Sequence, residues 1–489
     1  MLFNTIDFII FFILIISLLI VIKNRKFQHS ILLIGSFFFF YYSNNYLIVL
    51  LIFSTLLDFY VGKEIYRAEK KSRKKLLLYL TIAGNLGMLG FFKYADFTID
   101  QINSSLSSFN MASSIPHLDL ILPIGISFYT FQSLSYSIDI YRGNLVPSKS
   151  LREYSLFVAF FPSLVAGPII RAKDFLPQLR EKINDQNTDR LKQILVNNSN
   201  LKFGITLMAI GFFKKMFFAD NISPLVNSIF ANPVGFDSST IFLGAIASGI
   251  QIYCDFSGYS DIAIGAALII GIKIPKNFNK PFFATSPSNF WERWHISLST
   301  WVRDYLYFPL VFKRRKSIVF VACSVFFTMI VLGLWHGAGW NFIIFGAIHG
   351  LIIAGHRLLT YIMPEKIKNS FKSKIGILIS ICITQYFVFL SWIPFRIDDF
   401  NKLIYAMEKF IILDIQFSQL FNQISLNLIP FGLIILFGIL HFISYKKSDL
   451  ISKITNLKLP YWTIFLSIMM LCIFFFYDGN SEDFIYFQF

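Results

Sequence analysis

A histidine stands at the end of a long apolar run, in the stretch GLWHGAGW at residues 333–340. Near pH 7 the neutral ring of His336 could accept a proton, which is the chemistry of a general base. The alternative, which the residues alone leave equally open, is a ring that hydrogen-bonds a neighbouring helix. Gly333, Gly337 and Gly339 would let another helix or a substrate approach the ring closely.

A second histidine, His295, lies in PSNFWERWHISLSTWVRDYLYFPL at residues 287–310. Asn289 and Glu292 match a capping box, which predicts a helix that begins there. Aromatic and apolar residues then recur at three- and four-residue steps, with charged residues between them. This pattern predicts an amphipathic helix at an interface or cavity wall, with His295 on its aromatic side. A cytoplasmic surface helix with an aromatic anchor is the alternative.

Two acids, Asp255 and Asp261, lie within the apolar sequence YCDFSGYSDIAIGAA. They could orient a histidine, bind a cation, or pair with Arg293 or Arg303. Because Ile262 stands where the G-x-S-x-G motif has its last glycine, a hydrolase nucleophile is not predicted. The sequence also lacks a P-loop, an H-E-x-x-H motif and a Rossmann fingerprint.

The remaining histidines and the cysteines favour packing roles. His349 and His356 are seven residues apart and share one helix face, where packing or interfacial positions are favoured over chemistry. The cysteines all lie in apolar runs without C-x-x-C spacing, so small buried hydrophobes are favoured over disulfides, and no metal site is predicted. They are Cys254, Cys323, Cys382 and Cys472.

The elements that must position these residues are membrane helices. Of the 489 residues, 55% are hydrophobic and only 15% are charged, and the mean hydropathy is +0.61. Apolar runs close to the length that crosses roughly 30 Å of hydrocarbon recur from end to end, which predicts about ten to twelve crossings in one integral membrane domain, residues 1–489. Examples are 6–22, 46–61, 76–92, 239–254, 317–335, 340–355, 375–393, 428–444 and 460–477.

The formal net charge of +16 is not the signature of a nucleic-acid partner, because the basic residues form short clusters between apolar runs. Loops rich in Lys and Arg stay on the cytoplasmic side, which places the clusters at 63–75 and 313–316 inside. The stretch between Lys93 and Arg142 has neither residue and is predicted to contain an outward loop. With an acidic tail after the last apolar run, both termini are predicted to lie outside.

Two apolar segments are interrupted by helix breakers. They are LPIGISFYTF (122–131) and FFPSLVAGPII (160–170), which contain Pro123, Gly125, Pro162 and Gly167. Broken helices at membrane depth are tolerated only where protein or water satisfies the freed backbone groups. These segments are therefore predicted to line a cavity and not to face lipid.

The chain resembles the membrane-bound O-acyltransferases, in the bacterial branch that O-acetylates alginate or peptidoglycan. The matching motifs follow one another in consistent order, and they mark residues 80–360 as a catalytic core, with C-terminal transmembrane helices over 361–489. The stretches that carry the resemblance are 122–143, 162–171, 251–282 with 291–310, and 334–350.

The resemblance implies an all-α ring of transmembrane helices, with short and re-entrant helices around a central funnel or tunnel. It places an essential histidine in the W-H-G motif, at His336, and a second in the W-H-x-S motif, at His295. It also implies acetyl-CoA or another cytoplasmic acyl thioester as donor, without a bound cofactor. The acceptor would be a cell-envelope polysaccharide, reached directly or through an exported acetyltransferase partner, from the bacterial inner membrane.

Further residues could line the tunnel or position the substrate in this scheme. They are Trp291, Arg293, Trp294, Arg303, Asp304, Asp255 and Trp335. A transporter or channel is the main alternative function, since broken helices, buried acids and histidines could also form an ion or solute path. A structural scaffold for polysaccharide export is a third, and it predicts that variants of both histidines are silent.

Overall fold

The structure, a computed structural model, describes residues 1–111, 114–183, 188–414, 416–477 and 484–485. By its internal contacts the chain divides into two compact units. The first consists of residues 1–205 and 262–275, and the second consists of residues 206–261 and 276–489.

The N-terminal part of the first unit is built from helices and one short hairpin. The hairpin pairs β1 (Arg180–Ile183) with β2 (Thr188–Leu191) in antiparallel register, with Arg180 opposite Leu191. The helices are α1 (Ile6–Val21), α2 (Arg25–Asn44), α3 (Ile48–Arg67), α4 (Lys71–Ser108), α5 (Ile126–Tyr141), α6 (Leu151–Ala159), α7 (Phe161–Leu164) and α8 (Ala172–Phe175), with 3-10 turns at Asn45–Leu47 and Leu176–Leu179.

The rest of the described chain is also helical, and the division between the units falls within α9 and α11. The helices are α9 (Asn198–Phe212), α10 (Asp220–Phe230), α11 (Ser238–Ile269), α12 (Pro287–Trp291), α13 (Ile296–Val302), α14 (Phe308–Val311), α15 (Ile318–His336), α16 (Trp340–Ile362), α17 (Glu365–Ser370), α18 (Lys374–Trp392), α19 (Phe400–Ile412), α20 (Phe417–Leu426), α21 (Leu428–Lys446), α22 (Leu450–Thr455) and α23 (Leu459–Phe476). Two π-helical turns, Phe213–Ala219 and Arg303–Tyr307, and a 3-10 turn, Pro281–Phe283, complete this part.

The prediction of an all-α, multi-pass membrane protein is confirmed. Within the described residues, eight helical segments are long and apolar enough to cross a membrane. One of them, Arg25–Arg67, joins α2 and α3 through a 3-10 turn, and α1 is a further apolar helix of 16 residues. The estimate of ten to twelve crossings, and the side on which each terminus lies, stay predictions.

Of the two interrupted segments, 160–170 is wholly buried and 122–131 is buried over most of its length. Helix α5 begins only at Ile126, after Gly125 adopts a left-handed φ of +89°. A side chain at Gly125 would bring its Cβ to 2.6 Å from the carbonyl oxygen of Leu164, so glycine is required there. All of residues 160–170 are buried. That these segments line a cavity and do not face lipid stays a prediction.

Helices α15 and α16 pack closely because glycines line their contact. A Cβ at Gly333 would collide with the carbonyl oxygen of Phe342, and one at Gly346 would collide with the carbonyl oxygen of Met329. Small residues let membrane helices approach this closely, and the approach strengthens van der Waals packing that lipid cannot replace. Helix α15 is capped by the Ser317 hydroxyl, which accepts from the amide of Phe320, and it ends at His336.

This packing predicts that Gly346→Ala destabilises the protein by about 1–3 kcal/mol, because the new methyl group has no space between the helices. The measurement is the midpoint of thermal unfolding of the purified protein in detergent. Gly355→Ala, on the same helix, is the matched control because no atom lies within 4 Å of its added Cβ. Equal midpoints for the two variants would show that the glycine contact is unimportant.

Candidate active site

His336 is the last residue of α15, and its ring is enclosed by aromatic side chains. The residue is 5% exposed. Its ring centroid lies 4.9 Å from that of Trp335 and 5.3 Å from those of both Phe345 and Phe395. A Cβ at Gly337 would overlap the ring of Phe342, so the residue after the histidine must be glycine.

His295 is fully buried and occupies a backbone position that few residues adopt. Its φ of +42° and ψ of +53° are left-handed, and it separates α12 from α13. Its Nδ1 lies 3.1 Å from the side-chain oxygen of Asn277, which also accepts from the amide of Ser297 at 3.3 Å and from the Ser297 hydroxyl at 2.8 Å. Because that oxygen only accepts, Nδ1 carries the proton and Nε2 carries the lone pair of the neutral ring.

The continuous amphipathic helix predicted from Asn289 is wrong. The helix begins earlier, with the Ser286 hydroxyl accepting from the amide of Asn289, and it ends at Trp291. The chain then turns through His295 before α13 begins. Glu292 bonds the side chain of Asn289 and does not complete a capping box. The left-handed turn at His295 interrupts the helix. The aromatic helix face to which the sequence pattern assigned His295 is therefore not formed.

The indole of Trp335 brings the two histidines together. Its ring centroid lies 6.3 Å from that of His295 and 4.9 Å from that of His336. The histidines are forty-one residues apart in sequence. Helix α11 adds the ring of Phe256, which meets His295 edge-on at 4.6 Å. Two imidazoles thus lie around one indole in a buried region.

A buried charge network lies next to this centre on α11. The Asp255 carboxylate pairs with the ammonium of Lys215 at 2.9 Å and accepts from the amide of Ile485 at 2.8 Å. Lys215 also pairs with Asp220 at 2.9 Å, and each of these three residues is nearly inaccessible. Asp255 thus pairs with a lysine, and the suggested pairing with Arg293 or Arg303 is not found.

Comparison with known proteins identifies the family to which this arrangement belongs. A family model described as the membrane-bound O-acyltransferase family matches residues 145–393. The chain belongs to the membrane-bound O-acyltransferase family. It is therefore an acyltransferase embedded in the membrane, and the transporter or channel alternative is not favoured.

Three relatives illustrate the similarity. A probable alginate O-acetylase of Pseudomonas aeruginosa is 39% identical over 348 residues, which are 71% of this chain and 62% of that protein. The protein of the same name from Azotobacter vinelandii is 36% identical over 79% of this chain and 75% of its own length. A peptidoglycan O-acetyltransferase of Helicobacter pylori is 30% identical over 89% of this chain and 86% of its own.

The other sequence-predicted site residues divide into two groups. Trp294 and Trp291 are buried, and the Trp291 ring N–H donates to Nδ1 of His349 at 3.3 Å. Arg293 instead bonds the side chain of Asn289 at 2.9 Å, and Arg303 pairs with its neighbour Asp304 at 2.9 Å. Arg293, Arg303 and Asp304 are thus held by contacts close by in the sequence, and none of those contacts is with either histidine.

The sequence did not single out several residues that hold the centre. Asn277 orients His295, Phe395 packs on His336, and Trp392 packs on Trp294 at 5.0 Å. Phe395 and Trp392 follow the segment that was taken as the core, in SWIPF. Lys215 could have been noticed, because a lysine within FFKKMFF requires a buried counter-charge.

Across the described residues, no group of three or more His, Cys, Asp or Glu side chains is arranged to hold a metal ion.

Asn277→Ala is expected to lower the rate of acyl transfer by roughly ten- to hundredfold, because the His295 ring loses the contact that orients it. The measurement is transfer of radiolabelled acetyl groups by the purified protein. Asn279→Ala is the control, since Asn279 is exposed and lies only two residues away. Full activity of Asn277→Ala would mean that His295 needs no such support.

Proposed function

We propose that this membrane acyltransferase moves an acetyl group from a cytoplasmic thioester, acetyl-CoA or a related donor, to a hydroxyl of a cell-envelope polysaccharide. The transfer is direct, or it passes through the serine of an exported acetyltransferase partner. The observation that carries the proposal is the meeting of His295 and His336 around Trp335. The names of the relatives, an alginate O-acetylase and a peptidoglycan O-acetyltransferase, support acetyl as the group and a polysaccharide as the acceptor.

His336 is the general base of this proposal. As the acceptor hydroxyl oxygen attacks the thioester carbon, the neutral imidazole takes the hydroxyl proton. The carbon–sulfur bond then breaks, and the imidazolium returns the proton to the leaving thiolate. The products are an O-acetyl ester and a free thiol, and the histidine is regenerated.

His295 is proposed to bind or polarise the donor thioester. Asn277 contacts its Nδ1, so the lone pair of the neutral ring lies on Nε2. Trp291, Trp294 and Trp335 give this region apolar aromatic walls, which suit an acyl chain. A substrate-positioning role is also proposed for Arg293, Arg303, Asp304 and Asp255. Their contacts with neighbouring residues are equally compatible with a structural role.

The orientation of the helices fits delivery to the outer side. Helix α15 begins beside the basic cluster KRRK and ends at His336, and α18 begins at Lys374 and ends before Phe395. If basic clusters lie inside, both helices run outward. His336 then lies towards the acceptor side of the bacterial inner membrane. The catalytic core over 80–360, the C-terminal helices over 361–489 and the outward position of both termini belong to the same proposal.

Replacement of the proposed base tests this function. His336→Gln and His336→Ala should lower O-acetylation by roughly 100-fold or more, the contribution expected of a general base. The measurement is mass spectrometry of envelope polysaccharides from cells that express each variant, with membrane insertion confirmed. His356→Gln, an exposed histidine on α16, is the control. Near-normal acetylation by His336→Gln would refute the assignment.

His295→Ala separates donor binding from structure. Loss of thiol release from acetyl-CoA is expected, because the donor is no longer held. A variant that still turns over donor and acylates acceptor would give His295 a structural role only. Comparison of polysaccharides from cells with and without the gene identifies the acceptor, since the lost O-acyl group marks both the sugar and the acyl chain.

A further inference from the structure

The chain turns after α18, and this turn, residues 393–398, forms a strap against His336. Phe395, in the middle of the strap, is 1% exposed. Its ring meets the imidazole of His336 at a centroid distance of 5.3 Å and an interplanar angle of 76°. It also meets the rings of Phe342 and Phe345 on α16 at 5.5 and 5.3 Å. Backbone hydrogen bonds within the strap give it its shape but do not attach it to other helices, so side chains must hold it in place.

Arg396 attaches one side of the strap to α11. Its Nη2 donates to Oε1 of Gln251, and its Nε donates to the hydroxyl of Ser248 at 3.4 Å. Gln251 is 8% exposed and Ser248 is inaccessible, so the strap is tied to a buried face of α11. A hydrogen bond from a charged donor is stronger than a neutral one, and the guanidinium plane fixes the direction of its donors.

Asn341, in the first turn of α16, attaches the other side of the strap. Its side-chain nitrogen donates to the carbonyl oxygen of Pro394 at 3.1 Å and to the carboxylate of Asp398 at 3.0 Å. Pro394 and Arg396 are the residues on either side of Phe395. The two attachments therefore hold the backbone immediately before and after the ring that contacts His336, and all of these residues belong to the second unit.

The charge at Arg396 also belongs to the buried network of α11. Gln251 and Asp255 are four residues apart and share a helix face. Asp255 and Asp220 both pair with Lys215, so two carboxylates and one ammonium leave one negative charge in their ionised forms. The charge of Arg396 acts on Asp255 and offsets this excess. A cation is thus favoured at residue 396 over a neutral hydrogen-bond donor.

We propose that Arg396 is a positioning residue for acyl transfer: its bond to Gln251 holds the strap so that Phe395 keeps the imidazole of His336 in one orientation. A different side-chain rotamer of His336 would turn the nitrogen lone pair away from the acceptor hydroxyl. Arg396 acts through Phe395 and takes no part in the making or breaking of bonds. The inference rests on the proposed function, in which His336 is the general base.

The test is acetyl transfer by the purified full-length protein in detergent, with kcat and the KM for acetyl-CoA determined separately. Arg396→Gln and Gln251→Leu should each lower kcat roughly ten- to hundredfold, as expected for a misplaced catalytic group, with KM unchanged. Arg396→Lys, which keeps the charge and one donor, should recover part of the loss. Arg357→Gln is the matched control, because Arg357 is an exposed arginine that donates to the Tyr307 hydroxyl.

The double variant Arg396→Gln/Gln251→Leu adds a second criterion. Because the two residues share one contact, it should be about as slow as the slower single variant. Each protein is first confirmed as a single folded species by size-exclusion chromatography. If Arg396→Gln does not fold, Gln251→Leu tests the same contact from the other side.

The reaction of His336 with diethyl pyrocarbonate, followed by peptide mass spectrometry without substrates, reports on the strap independently of activity. His336 should react faster in Arg396→Gln and Gln251→Leu than in wild type, and at the wild-type rate in Arg357→Gln. Wild-type kcat in Gln251→Leu, a loss confined to KM, or losses that multiply in the double variant would overturn the inference. Faster labelling with wild-type kcat would place that failure in the role proposed for His336, whereas unchanged labelling would place it in the strap.

Discussion

The contact of one indole with two imidazoles is the interaction on which the rest of the candidate site depends. Trp335 touches the rings of His295 and His336, which come from separate elements. His295 lies in a left-handed turn, and His336 is the last residue of a helix. The indole is large and rigid, so ordering it costs little conformational entropy.

The position of Trp335 depends in turn on how closely α15 and α16 approach. Gly333 and Gly346 remove the side chains that would part these helices, and Gly337 leaves room for the ring of Phe342. Phe345 on α16 can then pack on His336, while Phe256 on α11 packs on His295. The charged residues Lys215 and Asp255 are compensated beside this aromatic centre, so α11 carries polar groups through apolar surroundings without an unpaired charge at Asp255.

Much of this could be predicted from sequence, and the failures have physical causes. Hydropathy and the basic cluster at 313–316 predicted a helix over 317–335, and the structure has it at Ile318–His336. Close approach of another helix, one of the alternatives left open for its glycines, is found at Gly333. The turn at His295 was missed since a non-glycine residue with positive φ leaves no periodic signal. The partner of Asp255 was missed because Lys215 lies forty residues away and only tertiary packing joins them.

The central claim is that His295 and His336 act as one chemical centre, and a double-mutant cycle on acetyl transfer tests it most directly. Rates are measured for wild type, His295→Gln, His336→Gln and the double variant, each confirmed as folded in detergent. If the two imidazoles serve the same step, the double variant should be about as slow as the slower single variant. Losses that multiply, as for independent sites, would contradict the account.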